Sequence, residues 1–226
     1  MIALLNILLM ATFTALGTFV AVRVPFLTWG VPVVPAAEEL VHWRGLVAGL
    51  CTITLQVPFV WASGALLGPW QGMAAQAAVL VVGVAGLPIF LEGGGPGYVL
   101  RPSFGYLLGF LPAAFFAGLF VRKGPIGAFL GMVLGQLAMW AVGVTWQVGA
   151  TRPPAWLDVT TWQRSWAGAL QLAPTYLMLM AALALAIGIF AAARQAFQSA
   201  FQQQREGAVV DKVDEHHGAE HPGAGR

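Results

Sequence analysis

The stretch that decides the fold reads GLPIFLEGGGPGYVLRPSFGYLLGF, from Gly86 to Phe110. It begins inside one long apolar run and ends inside the next. Its glycines can adopt positive φ and let the backbone approach a ligand closely, and its prolines fix φ and interrupt helical hydrogen bonding. We therefore predict a compact, shaped loop at the end of two buried helices, which is how a binding site in a membrane protein can be built.

Composition indicates the class of protein. Of the 226 residues, 58% are hydrophobic and 9% are charged, whereas a typical globular domain is about 25% charged. The mean hydropathy is +0.77. These values predict a multi-pass protein of the cell membrane, in contact with the lipid bilayer. The formal net charge of +2 gives no indication of nucleic-acid binding.

A membrane-spanning helix needs roughly 20 apolar residues, and the apolar runs provide six such segments. We predict an all-α membrane protein with six transmembrane helices at about 2–22, 46–67, 72–91, 103–121, 125–148 and 168–193. Residues 23–44 hold charges and prolines and are predicted to form an extramembrane loop. Residues 1–193 would then be the transmembrane domain. Residues 194–226 become polar, charged and glycine-rich, and are predicted to be a disordered tail.

Lysine and arginine positions predict the orientation of the bundle. They divide almost evenly between the two sides of the predicted bundle, but Arg122 and Lys123 are adjacent in its shortest loop. Short cytoplasmic loops carry an excess of these residues. This pair therefore favours a cytoplasmic N-terminus, and six spans would place the C-terminus on the same side.

The sequence contains no constellation typical of catalysis. No Asp, Glu, Lys, Arg or His lies inside a predicted helix, which argues against a proton-coupled carrier, since such carriers relay protons through intramembrane ionisable residues. No Walker motif is present to bind ATP. His216, His217 and His221 lie in the predicted tail, without a frame to hold a metal. We therefore predict a protein that is not an enzyme, with no cofactor and no metal.

Neutral polar residues inside the predicted helices are the remaining candidates for chemistry. A buried amide without a partner costs about 1–3 kcal/mol, so each glutamine needs either an interhelical hydrogen bond or a polar, uncharged ring as ligand. Arg101 suits a carboxylate through its planar fork, although it could equally extend to the membrane interface or pair with Glu92. The predicted substrate-binding residues are Gln56, Gln76, Glu92, Gly94, Gly95, Tyr98, Arg101, Tyr106 and Gln171.

An ordered set of Gly, Pro, Phe and Tyr resembles a known family. GVAGLPIF from Gly83, EGGGPGY from Glu92 and RPSFGYLLGF from Arg101, with TLQVPFV from Thr54 upstream, resemble the BioY family. Its members are the biotin-specific substrate-binding (S) components of energy-coupling factor (ECF) transporters. The resemblance is strong over residues 52–121 and looser to Ala193.

The resemblance implies a six-helix S-component fold that holds biotin near the extracytoplasmic face, beneath the first loop. It also implies partners, namely a transmembrane coupling subunit and a pair of ATPase subunits. Ala11 and Ala15 would form the small-residue face of the first helix that docks on the coupling subunit.

One motif of many family members is absent. They carry Pro-Gly-Asp-x-x-Lys at the start of the sixth helix, whereas residues 167–172 read AGALQL here, and Gln171 is the candidate replacement. The primary hypothesis is high-affinity biotin binding for uptake. Two alternatives stay open: an S component for another vitamin or a biotin precursor, and a membrane scaffold protein that does not transport.

Overall fold

The computed structural model describes residues 1–29, 38–43, 46–91, 93–150, 162–163, 166–167, 170 and 173–189. Within these residues the chain forms six apolar helical segments, which confirms the predicted helical bundle. Their bounds are α1 Ile2–Gly17, α2 Gln56–Leu67, α3 Pro69–Val84, α4 Phe104–Leu108 continuing through Gly109 into α5 Phe110–Leu119, α6 Gly124–Ala150 and α7 Ala173–Ile189.

The membrane prediction rests on helix length and composition. Among the described residues, only α6 is both long and apolar enough to cross a membrane without help, and the other apolar helices are shorter. Leucines on α1 are nevertheless widely exposed, including Leu4, Leu5 and Leu8. Contiguous exposed apolar surface of this kind marks a surface that faces lipid or a partner protein.

A three-stranded antiparallel sheet is the feature that the sequence analysis missed. Its strands are β1 Ala21–Trp29, β2 Glu38–Trp43 and β3 Leu46–Thr54, in the order β1-β3-β2. Ala21 pairs with Thr54 and Trp29 with Leu46. The predicted helix 46–67 is therefore wrong over its first half, and residues 23–44 are not simply a loop.

The physical reason for this error lies in β3. It ends in Thr52-Ile53-Thr54, and β-branched side chains are stiff at χ1 and favour extended backbone. Hydropathy alone could not distinguish an apolar strand from half of a spanning helix. The pairing with β1 also explains why α1 ends at Gly17, five residues before the predicted end at Val22.

The remaining helices lie close to their predicted positions. The predicted helix 72–91 begins earlier, at Pro69, and ends at Val84, because Gly86 adopts a φ of 123° that a helix cannot continue. The predicted helices 103–121 and 125–148 correspond to α4–α5 and α6. Within the last predicted helix, 168–193, the structure describes position 170 and α7.

The chain divides into two compact units, Met1–Ala184 and Leu185–Arg226. The predicted tail, residues 194–226, lies outside the described residues, so the domain boundary at 193 stays a prediction.

Glycines set the close packing of the first unit, in which α5 contacts α2, α3 and α6. A Cβ on Gly131 would lie 2.6 Å from the carbonyl oxygen of Phe116, and one on Gly135 would lie 2.5 Å from that of Ala113. A Cβ on Gly64 would overlap the carbonyl of Ala114. These glycines therefore let helices of this chain pack closely against one another.

Candidate functional site

The glycine-rich loop between α3 and α4 folds back on the end of α3. The backbone N–H of Gly95 donates to the carbonyl of Gly83 at 2.7 Å, and Phe90 and Gly93 exchange two backbone hydrogen bonds. Gly93 and Gly95 have φ of 112° and 98°, which L side chains rarely adopt. A Cβ on Gly94 would overlap the carbonyl of Leu87. The predicted compact loop is confirmed.

Two aromatic side chains of this loop, Phe90 and Tyr98, begin a row of four that continues through Phe104 on α4 to Trp146 on α6. Ring centroids are separated by 4.7 Å between Phe90 and Tyr98, 6.3 Å between Tyr98 and Phe104, and 5.7 Å between Phe104 and Trp146. We call these four residues the aromatic row. The first three are at most 5% exposed. Gly83 makes room for the row, because a Cβ there would enter the ring of Phe90.

Arg101 is exposed and lies beside the aromatic row. Its Cζ is 5.3 Å from the centroid of the Tyr98 ring, a separation at which a guanidinium is attracted by the ring quadrupole. Its carbonyl accepts a hydrogen bond of 3.1 Å from Nε1 of Trp146. The cation is thereby held beside an apolar surface, an arrangement that suits a ligand with an anionic end and an apolar body.

Tyr106 joins the same end of α6. Its hydroxyl donates to Oε1 of Gln147 at 2.9 Å, and its ring covers Gly143, where a Cβ would overlap it. Trp146 and Gln147 are functional candidates that the sequence analysis missed. The sequence did contain a signal for them, namely an aromatic and a polar residue side by side near the end of a long apolar run.

The structure therefore brings Tyr98, Arg101 and Tyr106 together, with Gly94 and Gly95 in the loop that positions them. It does not bring Gln76 to this cluster. Nε2 of Gln76 donates to Oγ of Ser63 at 2.9 Å and to Oγ1 of Thr14 at 3.2 Å. Of the two predicted possibilities for each glutamine, an interhelical hydrogen bond or a bound ligand, the structure shows the first for this side chain. Its role in ligand binding stays a prediction.

The remaining predicted residues are either buried away from this cluster, half-buried on α1 or outside the described residues. Gln56 is buried at the start of α2, and its Nε2 has no partner among the described residues. Glu92 and Gln171 lie outside the described residues. Ala11 and Ala15, the predicted docking pair, are both half-buried, and Ala11 packs against the core. Their contact with a partner subunit stays a prediction.

The sequence matches the model of the BioY family over residues 1–199. It is 34% identical over 122 residues to a probable biotin transporter BioY of Lysinibacillus sphaericus, covering 54% of this chain and 50% of that protein. It is 41% identical over 99 residues to the biotin transporter BioY of Rhodobacter capsulatus, covering 41% and 52%. The chain thus spans about half the length of the curated relatives that it matches.

The fold resembles a solved structure, the S-component for biotin from an ECF-type ABC transporter. The TM-score is 0.58, with 20% sequence identity, over 83% of this chain and 89% of that one. At this identity the likeness establishes the fold alone. The predicted S-component-like bundle is confirmed.

Proposed function

The chain belongs to the BioY family, and from this we propose that it is a membrane-embedded biotin-binding subunit for biotin uptake. The observation that carries the proposal is Arg101 beside the aromatic row, in the loop that the family resemblance covers. Biotin has one carboxylate, for which a guanidinium fork is suited, and an apolar chain and thiophane that aromatic rings can cover.

We further propose that transport is driven by partners. The matched solved structure is an S-component of an ECF-type ABC transporter, and this sequence has no Walker motif with which to bind ATP. A transmembrane coupling subunit and a pair of ATPases would supply the work, and α1, with Ala11 and Ala15, would be the docking helix. Co-purification with candidate coupling subunits tests this, and a chain that supports uptake in cells lacking them would contradict it.

We also propose that both termini lie in the cytoplasm of a cell-membrane protein with six spans. The adjacent Arg122 and Lys123, at the turn between α5 and α6, support this orientation. A cysteine introduced at Arg226 in a Cys51→Ala background should resist a membrane-impermeant thiol reagent in intact cells. Labelling without lysis would place the C-terminus outside.

The binding proposal is tested by calorimetric titration of the detergent-purified protein with biotin, dethiobiotin, thiamine and riboflavin. We expect high-affinity binding of biotin and none of the last two. Selective binding of another vitamin would favour the alternative S-component, and binding of none of them would overturn the proposal and favour a scaffold role. A ligand at a hundredfold excess over its Kd should stabilise the fold by about 2.7 kcal/mol.

The role of Arg101 has its own test. Arg101→Gln should weaken biotin binding by about tenfold or more, since a charge-assisted hydrogen bond contributes roughly 1.5–3 kcal/mol. The same variant should bind biotin methyl ester as the wild type does, because the ester has no carboxylate charge. Lys123→Gln is the matched control: Nζ of Lys123 also lies over an aromatic ring, 5.2 Å from that of Phe120, but away from the aromatic row. An equal loss in both variants would contradict the assignment.

A further inference from the structure

Gln136, in the middle of α6, is a buried side chain whose amide is unused. It is 2% exposed, and neither its Nε2 nor its Oε1 has a hydrogen-bond partner among the described residues. Thr145, on the same helix, shows the usual alternative, a bond to the backbone one turn earlier. A fully buried and unbonded amide is costly, so its presence in a native structure calls for an occupant that bonds to it.

A row of ring contacts leads from α6 to a second buried donor that has no partner among the described residues. Trp140 is one turn after Gln136 and therefore on the same face of α6. Its ring centroid is 6.2 Å from that of Tyr176 on α7, which is 5.8 Å from that of Trp61 on α2. Trp61 is 0% exposed, and its Nε1 has no partner among the described residues. We call Trp61, Gln136, Trp140 and Tyr176 the Tyr176 cluster.

The chemistry of the Tyr176 cluster restricts its ligand. Gln136 offers N–H donors and a carbonyl acceptor, and Trp61 offers one N–H donor. An ionised group would bind here at a high desolvation cost, because the cluster has no charged side chain to pair with it and lies in a desolvated core. A neutral cyclic urea fits Gln136, since one of its N–H groups can donate to the Gln136 carbonyl while its C=O accepts from the Gln136 amide, and Trp61 offers a further N–H donor.

We infer that the Tyr176 cluster binds the uncharged cyclic urea ring of the ligand. This inference rests on the proposed function, because that ring is the neutral end of biotin. It assigns the role to a glutamine and a tryptophan that lie on α6 and α2, in a chain that lacks the Asp and Lys described above.

The position of the cluster relative to Arg101 supports this assignment. Gln136, Trp140, Gly143 and Gln147 recur at helical spacing and form one stripe along α6. Gln147 binds Tyr106, and its neighbour Trp146 binds the carbonyl of Arg101. The stripe extends about 16 Å along the helix axis, so the cationic and neutral ends of the site lie at different depths. Biotin has its carboxylate and its urea ring at opposite ends in the same way.

The test measures the affinity of the full chain, in detergent, for biotin, dethiobiotin and biotin methyl ester. Gln136→Leu should weaken the binding of all three by a similar factor of about tenfold or more, because each retains the urea ring. Gln136→Met, nearly equal in length to glutamine, is the second variant in case the first folds poorly. Met132→Leu, fully buried one turn earlier on α6, is the matched control and should keep the wild-type affinity.

The outcomes separate the inference from the proposed function. If the wild type binds biotin and a folded Gln136 variant binds it within about twofold, the inference is overturned and the proposed function stands. In that case the amide is bonded by an internal water or left unbonded. If the wild type binds no biotin in the same titration, the proposed function fails and this inference fails with it. Unlike the Gln136 variants, Arg101→Gln should keep the wild-type affinity for biotin methyl ester. This difference would place the two contacts at opposite ends of the ligand.

Discussion

The hydrogen bond between Thr14 and Gln76 should stabilise the attachment of α1 to the bundle. Nε2 of Gln76 donates one hydrogen to Oγ1 of Thr14 at 3.2 Å and the other to Oγ of Ser63 at 2.9 Å. All three side chains are fully buried. Thr14→Val keeps the shape of the side chain and removes the acceptor, so it leaves one buried N–H unbonded.

The expected cost follows from this geometry. Interhelical hydrogen bonds between membrane helices contribute about 0.6 kcal/mol on average and about 1.7 at most, and the unbonded N–H brings the expected loss to about 1 kcal/mol. For a chain of this size that corresponds to a decrease of about 2–4 °C in Tm. In a Gln76→Leu background, Thr14→Val should cost less by about 0.6–1.7 kcal/mol, which is the coupling energy of the pair.

Thermal unfolding of the four proteins of this double-mutant cycle measures the coupling. Thr12→Val is the matched control on the same helix. The hydroxyls of Thr12 and Thr14 both donate to the backbone carbonyl four residues earlier, at 2.9 Å, but Thr12 is exposed. A coupling energy below about 0.3 kcal/mol, or an equal loss from Thr12→Val, would refute the reasoning.

Two further predictions concern the candidate site. Gly83→Ala should lower the unfolding free energy by about 1–3 kcal/mol, because the added Cβ would enter the ring of Phe90. Gly97→Ala is the control, since a Cβ there has nothing within 4 Å. Equal Tm values for the two variants would contradict the close packing at Gly83. Tyr106→Phe should lower it by about 0.5–1.5 kcal/mol through loss of the bond to Gln147, and an unchanged denaturation midpoint would show that this bond contributes nothing.

Local signals determined much of the bundle. The charge-poor composition indicated a membrane protein. The apolar runs located α4–α5 and α6 to within two residues, and located α3 except that the predicted helix continued past its end at Val84. Glycine and proline marked the turns, because their φ preferences act on the residue itself and need no partner. The ordered glycines, prolines and aromatics from Gly83 to Phe110 also carried the family resemblance. Each of these signals is contained in a short stretch of chain.

Tertiary contacts decided what the sequence left open. Residues 46–54 are apolar enough for a membrane-spanning helix, and only their pairing with β1 shows that they form a strand. Gln76 and Gln136 are equivalent in sequence, each one amide in an apolar helix. Nε2 of Gln76 is bonded because Thr14 and Ser63 lie beside it, although its Oε1 has no partner among the described residues. Neither amide atom of Gln136 has a partner there. A side chain's polar partners come from other helices, so helix packing determines which amide holds the bundle together and which is available to a ligand.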